Sequence, residues 1–72
     1  MESNARIALG HNIRRHRQHL DISQEMLAEQ AGLHRTYIGG VERGERNISL
    51  DNIICVARAL NLTPSELMQD II

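Results

Sequence analysis

The stretch SQEMLAEQAGLHRTYIGGVER, residues 23–43, contains two helical patterns separated by a short break. Ser23 is a favoured N-cap residue at the start of the first pattern, and Gly32 stands where helices commonly end in a left-handed conformation. The turn at residues 32–34 leads into a second pattern that begins at Arg35. Two helices joined by such a turn form a helix-turn-helix unit, which we therefore predict here.

The spacing of small and apolar residues within this stretch supports the same prediction. Ala28 is small where the two helices would cross, and Gly32 provides the positive φ that the turn needs. Four apolar side chains are expected to fill the angle between the helices: Leu27, Ala31, Ile38 and Val41.

Three further helices are predicted around this unit. The first runs from about residue 4 to Leu20, with an apolar stripe of Leu9, Ile13 and Leu20. Ser49 caps another over about Leu50 to Leu60, and TPSE, residues 63–66, starts the last with a capping box. We expect that helix to reach about Asp70. The fold class is thus all-α, a compact five-helix domain over residues 1–72.

Composition excludes several classes of protein. The 72 residues suit one domain, and no apolar run approaches the roughly 20 residues of a membrane span. Cys55 is the single cysteine, so an internal disulfide is impossible. These features predict a soluble protein in the reducing cytoplasm. We find no phosphate loop or nucleophile elbow that would suggest an enzyme.

The layout of charge is more informative than the net charge of −1. Residues 1–20 contain four arginines against Glu2 alone, and every basic residue in the chain is arginine. Arginine is the better bidentate partner for phosphate and for guanine edges. Nucleic acid is therefore compatible with the sequence despite its slightly acidic total.

Two adjacent glycines, Gly39 and Gly40, interrupt the third helix, and each costs about 0.8–1 kcal/mol relative to alanine. On a helical wheel they belong to the arc opposite Ile38 and Val41, together with Arg35, Thr36 and Arg43. A face without side chains at its centre would let the backbone approach the major groove of DNA. The alternative is that helical glycines are simply tolerated.

The stretch SQEMLAEQAGLHRTYIGGVERGERNISLDNIICVARALNL, residues 23–62, resembles the helix-turn-helix family of phage-repressor type, the Cro/C1 or Xre family. The motifs that carry the resemblance are Q..LA..AG, RTYI..VERG.RN.SL and A.AL, and it covers about residues 7–68. The chain is most similar to the controller proteins of restriction–modification systems. The resemblance implies a lambda-repressor-like fold and a dimeric, sequence-specific transcriptional regulator. Gly39 departs from the serine that many relatives carry.

The resemblance also implies roles for individual residues. Gln24 would contact phosphate at a helix N-terminus, and Arg35 and Thr36 would contact bases. Tyr37 would touch the DNA backbone or a thymine methyl group. Further phosphate contacts would come from Arg43, Arg46 and Asn47, with Arg46 also able to reach the minor groove. Arg17 and Glu42 would form a partly buried ion pair. For each polar residue the alternative is an ordinary solvated side chain, and for Arg43 it is neutralisation of the helix C-terminus.

The fourth and fifth helices are more apolar than one small core requires. The fourth has a broad apolar arc, and Leu67, Met68, Ile71 and Ile72 extend the apolar surface. We predict a two-fold dimer interface that includes Ile54, Cys55, Met68 and Ile71. The alternative is a monomer with a loose apolar tail.

Other possibilities remain open from the sequence. His16 and His19 are three residues apart, but nothing completes a metal site, so no metal or cofactor is predicted. His34 would either cap the third helix or touch phosphate. An antitoxin or a small phage Cro/C1-type repressor is the main alternative function, and RNA polymerase is a conceivable protein partner.

Overall fold

The computed structural model describes residues 4–71, which form five α-helices and no strand. The helices are α1 (Asn4–His19), α2 (Gln24–Ala31), α3 (Arg35–Glu42), α4 (Leu50–Ala59) and α5 (Pro64–Leu67). The predicted fold class is therefore confirmed. No helix in this part of the chain has the length and apolarity to cross a membrane.

Local capping sets the start of three helices at the predicted residues. The Oγ atom of Ser23 accepts a hydrogen bond from the backbone N–H of Met26, and Ser49 Oγ accepts one from Asn52. Thr63 forms the predicted capping box at the start of α5. Gly32 ends α2 in the left-handed region, at φ 73°. Each cap satisfies backbone groups that the helix itself leaves without a partner.

The core lies where α3 packs against α1 and α2, with α4 and α5 closing the other side. Ala28 and the four side chains expected to fill the angle between α2 and α3 are all buried. In the predicted stripe of α1, Leu9 and Ile13 are buried, but Leu20 follows the helix end and is 41% exposed. Leu50 is likewise 69% exposed, because it occupies the first position of α4.

A close approach between α1 and α3 depends on Gly10. A Cβ atom at this position would lie 2.5 Å from the carbonyl oxygens of Val41 and Glu42. Real Cβ contacts are not that short, so only glycine permits this packing. Nothing in the residue pattern of α1 alone predicts this requirement.

Helix α5 is shorter than predicted, because it ends at Leu67 rather than near Asp70. Asn12, which is buried on α1, donates from Nδ2 to the carbonyl oxygens of Leu67 at 2.9 Å and Gln69 at 3.0 Å. Asp70 then adopts a positive φ of 65°. The carbonyls of Leu67 and Gln69 thus attach the C-terminal turn to α1, and the chain leaves the helical conformation at Asp70.

Candidate nucleic-acid interface

The predicted DNA-binding residues lie around the exposed side of α3. Arg35 and Thr36 occupy its first turn and are exposed, because Ile38 and Val41 turn the opposite side into the core. These two residues, together with Gln24, Gly39 and Arg43, line an open cleft of about 230 Å³. The cleft combines the N-terminal ends of α2 and α3, where free backbone N–H groups favour anions.

His34 stands at the N-cap position of α3 with an extended backbone, but its side chain makes no capping hydrogen bond. The capping role considered for it is therefore wrong. The side chain is exposed, so a contact with phosphate remains a prediction.

Gly39 and Gly40 are buried rather than bare, which corrects the expected exposure of this helix face. A Cβ atom on Gly39 would lie 3.2 Å from a terminal nitrogen of Arg43 and 3.6 Å from Gln24 Oε1. A Cβ atom on Gly40 would lie 2.7 Å from Cγ of Arg46. The helical wheel predicted the wrong exposure for the two glycines because it includes only residues of α3. The side chains that cover them come from α2 and from the segment after α3.

Arg17 and Glu42 form the ion pair that the resemblance implied. Arg17 donates from Nε to Glu42 Oε2 at 2.7 Å and from Nη2 to Oε1 at 3.1 Å. Its remaining terminal nitrogen donates to the backbone oxygen of Ile22 at 2.9 Å. The pair thus joins α1, the start of the helix-turn-helix unit and the end of α3.

Gln24 is tied to the same carboxylate, since its Nε2 donates to Glu42 Oε1 at 3.0 Å. An amide nitrogen carries two hydrogens, so the second remains able to donate to a phosphate. Glu42 thereby fixes the side chain that was predicted to contact the DNA backbone. That contact stays a prediction.

Tyr37 is half-buried and bonds to the chain between α3 and α4, hereafter the loop, residues 43–49. Its hydroxyl donates to the backbone oxygen of Asn47 at 3.2 Å and accepts from Nδ2 of Asn52 at 3.2 Å. The guanidinium carbon of Arg46 lies 6.0 Å from the centre of its ring. Asn52 was not among the predicted site residues. The only feature of the sequence that could have pointed to it is its polar side chain on a mostly apolar helix.

Arg43 is the C-cap residue that follows α3, and it pairs with Glu45, Nε to Oε1 at 3.0 Å. Both side chains are largely exposed, so this pair contributes little to stability and is easily exchanged for another partner. Arg46 and Asn47 are exposed as well. Three of the four residues predicted to contact phosphate are thus accessible after α3 and in the loop.

The residues predicted for the dimer interface lie mainly at the surface formed by α4 and the C-terminal turn. Ile54, Cys55 and Ile71 are half-buried, and Met68 is 39% exposed. Leu67 instead is fully buried in the core, which corrects its assignment to the apolar surface. Ile72 lies outside the described residues. Met68 and Ile71 also border an apolar cleft of about 270 Å³ beside Ile48 and Ile53.

Within residues 4–71, no three potential metal-binding side chains come together. The residues that line the exposed side of α3 offer hydrogen bonding and positive charge. The groups that provide them lie at the N-terminal ends of α2 and α3 and in the loop that follows α3.

Comparison with known proteins places this geometry among transcription regulators. A family model described as helix-turn-helix matches residues 13–67. The control protein C.SmaI of Serratia marcescens is 52% identical over 60 residues, which cover 83% of this chain and 71% of that protein. The control protein C.BamHI of Bacillus amyloliquefaciens is 45% identical over 69 residues, covering 94% and 85%. The crystal structure of the restriction–modification controller protein C.AhdI from Aeromonas hydrophila has a TM-score of 0.85 at 48% identity, over 86% of this chain and 94% of that one.

Proposed function

The chain belongs to the helix-turn-helix family of DNA-binding transcription regulators, and we propose that it acts as the controller protein of a restriction–modification system. The relatives that carry this proposal are named control or controller proteins. They favour this role over the two alternatives, an antitoxin or a phage repressor.

The observation that supports the mode of binding is the exposure of Arg35 and Thr36 at the N-terminus of α3. In a helix-turn-helix protein the N-terminal residues of the second helix meet base edges in the major groove. Arg35 has the geometry for O6 and N7 of guanine. We assign base recognition to these two residues.

Phosphate contacts would surround this centre. Gln24 lies at the N-terminus of α2, and Arg43, Arg46 and Asn47 follow α3 on the exposed side. Such contacts set the register of a protein on DNA without carrying sequence information. They leave base selection to the first turn of α3.

A homodimer would give the selectivity that one recognition helix lacks. Two copies related by a two-fold axis would meet half-sites about 34–36 Å apart, so the operator should be near-palindromic. The half-buried and exposed apolar residues of α4 and the C-terminal turn support this assembly. We infer a cytoplasmic location from the DNA target, and RNA polymerase is a candidate partner because the regulator acts on transcription.

The decisive experiment is selection of duplexes from a random DNA library by the purified chain, followed by affinity measurements at several salt concentrations. We expect a near-palindromic sequence to be enriched and its affinity to fall steeply with salt, because bound counterions are released. Arg35→Ala should weaken binding by about 1–3 kcal/mol and relax the preference at one position in each half-site.

Arg15→Ala is the matched control, since it also removes one exposed arginine but lies on α1, outside the residues assigned to base recognition and to the dimer. It should retain the sequence preference of the parent. Enrichment of no sequence, or equal losses for Arg35→Ala and Arg15→Ala, would contradict base recognition by α3.

Sedimentation at micromolar concentration tests the dimer separately. The expected mass is twice the 8.2 kDa of one chain, and Met68→Glu should shift it to that of the monomer by placing a charge on the exposed apolar surface. A monomer mass that does not change with concentration refutes the dimer.

A further inference from the structure

The side chain of Asn52 connects α4 to the loop through a single hydroxyl group. Its Nδ2 donates to Tyr37 Oη at 3.2 Å, and Tyr37 Oη lies 3.2 Å from the backbone oxygen of Asn47. These three residues belong to α4, α3 and the loop. A chain of hydrogen bonds therefore spans two helices and the DNA-facing segment between them.

The chemistry of the three groups determines which one donates and which one accepts in each hydrogen bond. The Asn47 carbonyl can only accept, so the one proton of the Tyr37 hydroxyl must point toward it. The hydroxyl oxygen then needs a donor on its other side, and the amide nitrogen of Asn52 provides one. If the amide were reversed, its oxygen would compete with Asn47 for the same proton.

Asn52 itself is held firmly, because its backbone N–H donates to Ser49 Oγ at the N-cap of α4. The loop also contains Arg46, whose aliphatic part lies over Gly40 and whose guanidinium lies beside the Tyr37 ring. A fixed Tyr37 thus borders the position of Arg46 and anchors the backbone of Asn47.

From these contacts we propose that Asn52 is a positioning residue for DNA binding, acting through the Tyr37 hydroxyl to pre-form the loop that presents Arg46 and Asn47. The benefit is a lower cost of ordering this segment when it meets phosphate. The proposal rests on the proposed function, but its first step concerns the free protein and can be tested without DNA.

Tyr37 is the only aromatic residue of its kind in the chain, which contains no Trp and no Phe. Tyrosine fluorescence of the free protein therefore reports this hydroxyl alone. Asn52→Ala and Asn52→Asp should both change the emission of Tyr37. Asp is close to isosteric but can only accept, so it would draw the phenol proton away from Asn47. Gln30→Ala, which removes an exposed amide on α2, should leave the emission unchanged.

Operator affinity is then measured with a labelled duplex that the wild-type chain has selected from a random library. Asn52→Ala should weaken binding up to about tenfold, the factor equivalent to about 1.4 kcal/mol, while Gln30→Ala should not. In the Tyr37→Phe background the same substitution should have no further effect, because the hydroxyl that transmits it is absent.

The inference is overturned if Asn52→Ala and Asn52→Asp leave Tyr37 emission and duplex affinity as in the parent, or if Asn52→Ala weakens binding equally with and without the hydroxyl. Selection of no duplex by the wild-type chain overturns the proposed function instead. In that case the fluorescence of the free protein still decides whether Asn52 orients Tyr37.

Discussion

Arg17 and Glu42 join α1 to the last residue of α3 through two hydrogen bonds, and their side chains are only 12% and 3% exposed. The carboxylate also accepts from Gln24, so its two oxygens serve both helix packing and the candidate DNA interface. A charge this deeply placed depends on its partners, because burial without them is costly.

Removal of the Arg17 guanidinium should therefore destabilise the fold strongly. We expect Arg17→Ala to lower the free energy of unfolding by about 3–5 kcal/mol, since Glu42 would remain buried without its counter-ion. Denaturant titration measures this effect. The control is Arg43→Ala, which breaks the exposed pair with Glu45 and should cost at most about 1 kcal/mol. Similar losses for the two variants would contradict a special role for the buried pair.

Gly10→Ala tests the close contact of α1 with the end of α3. The added methyl group would collide with two backbone oxygens, of Val41 and Glu42, which cannot move aside as a side chain can. We expect a loss of about 1–3 kcal/mol or more, as for other overpacked sites. Thermal unfolding followed by circular dichroism measures this loss of stability.

Gly32→Ala is the comparison for Gly10→Ala. Gly32 has a positive φ of 73° but open space around a Cβ atom, so the cost should be limited to about 1–2 kcal/mol of backbone strain. If Gly10→Ala proved the milder change, the packing of α1 on α3 would be looser than described.

The two helical glycines should respond differently to alanine. The Cβ of Gly39→Ala would press only on the flexible end of Arg43 and would lie at ordinary contact distance from the Gln24 amide, so the gain in helix propensity should raise the free energy of unfolding by about 0.5–1 kcal/mol. Gly40→Ala must displace the stem of Arg46 and should weaken binding to the selected duplex. Unfolding and binding titrations on both variants separate these effects. Two variants that are more stable and bind as well as the parent would remove any DNA-related role for the glycines.

Acid should weaken the start of α5. The pKa of Glu66 is lowered, chiefly by its hydrogen bond from the backbone N–H of Thr63, then by the Thr63 side chain and by the charge of His16. Because the folded pKa lies below the unfolded one, the stabilisation is present above the unfolded pKa and is lost as the pH falls through the folded value. Thermal midpoints at about pH 7 and about pH 3 measure the loss.

Glu66→Gln supplies the control for this pH dependence. Glutamine also completes a capping box but does not titrate in this range. Its stability should therefore change less on acidification than that of the parent. An equal decrease in both proteins would assign the acid sensitivity to other groups.

Local patterns predicted the helix starts because capping involves residues three positions apart. Ser23, Ser49 and Thr63 all act as expected, and Gly32 adopts the left-handed turn. The ion pair of Arg17 with Glu42 came from the family resemblance, since nothing in the spacing of residues 25 positions apart specifies a contact.

Features that depend on tertiary contacts were missed for the same physical reason. Gly10 is required by carbonyl groups of another helix, and the carbonyls of Leu67 and Gln69, at and beyond the end of α5, accept hydrogen bonds from Asn12 of α1. The exposure of Gly39 and Gly40 was misjudged because side chains from outside α3 cover them. No one-dimensional periodicity contains such information.

The grip of Asn12 on the carbonyls of Leu67 and Gln69 has a consequence for association. It holds the residues just before and after Met68 in one conformation before any second molecule arrives. A second molecule would therefore bind to a C-terminal turn that is already ordered. Little conformational entropy of this segment would remain to be lost on association. Even an interface of modest area could then hold two molecules together.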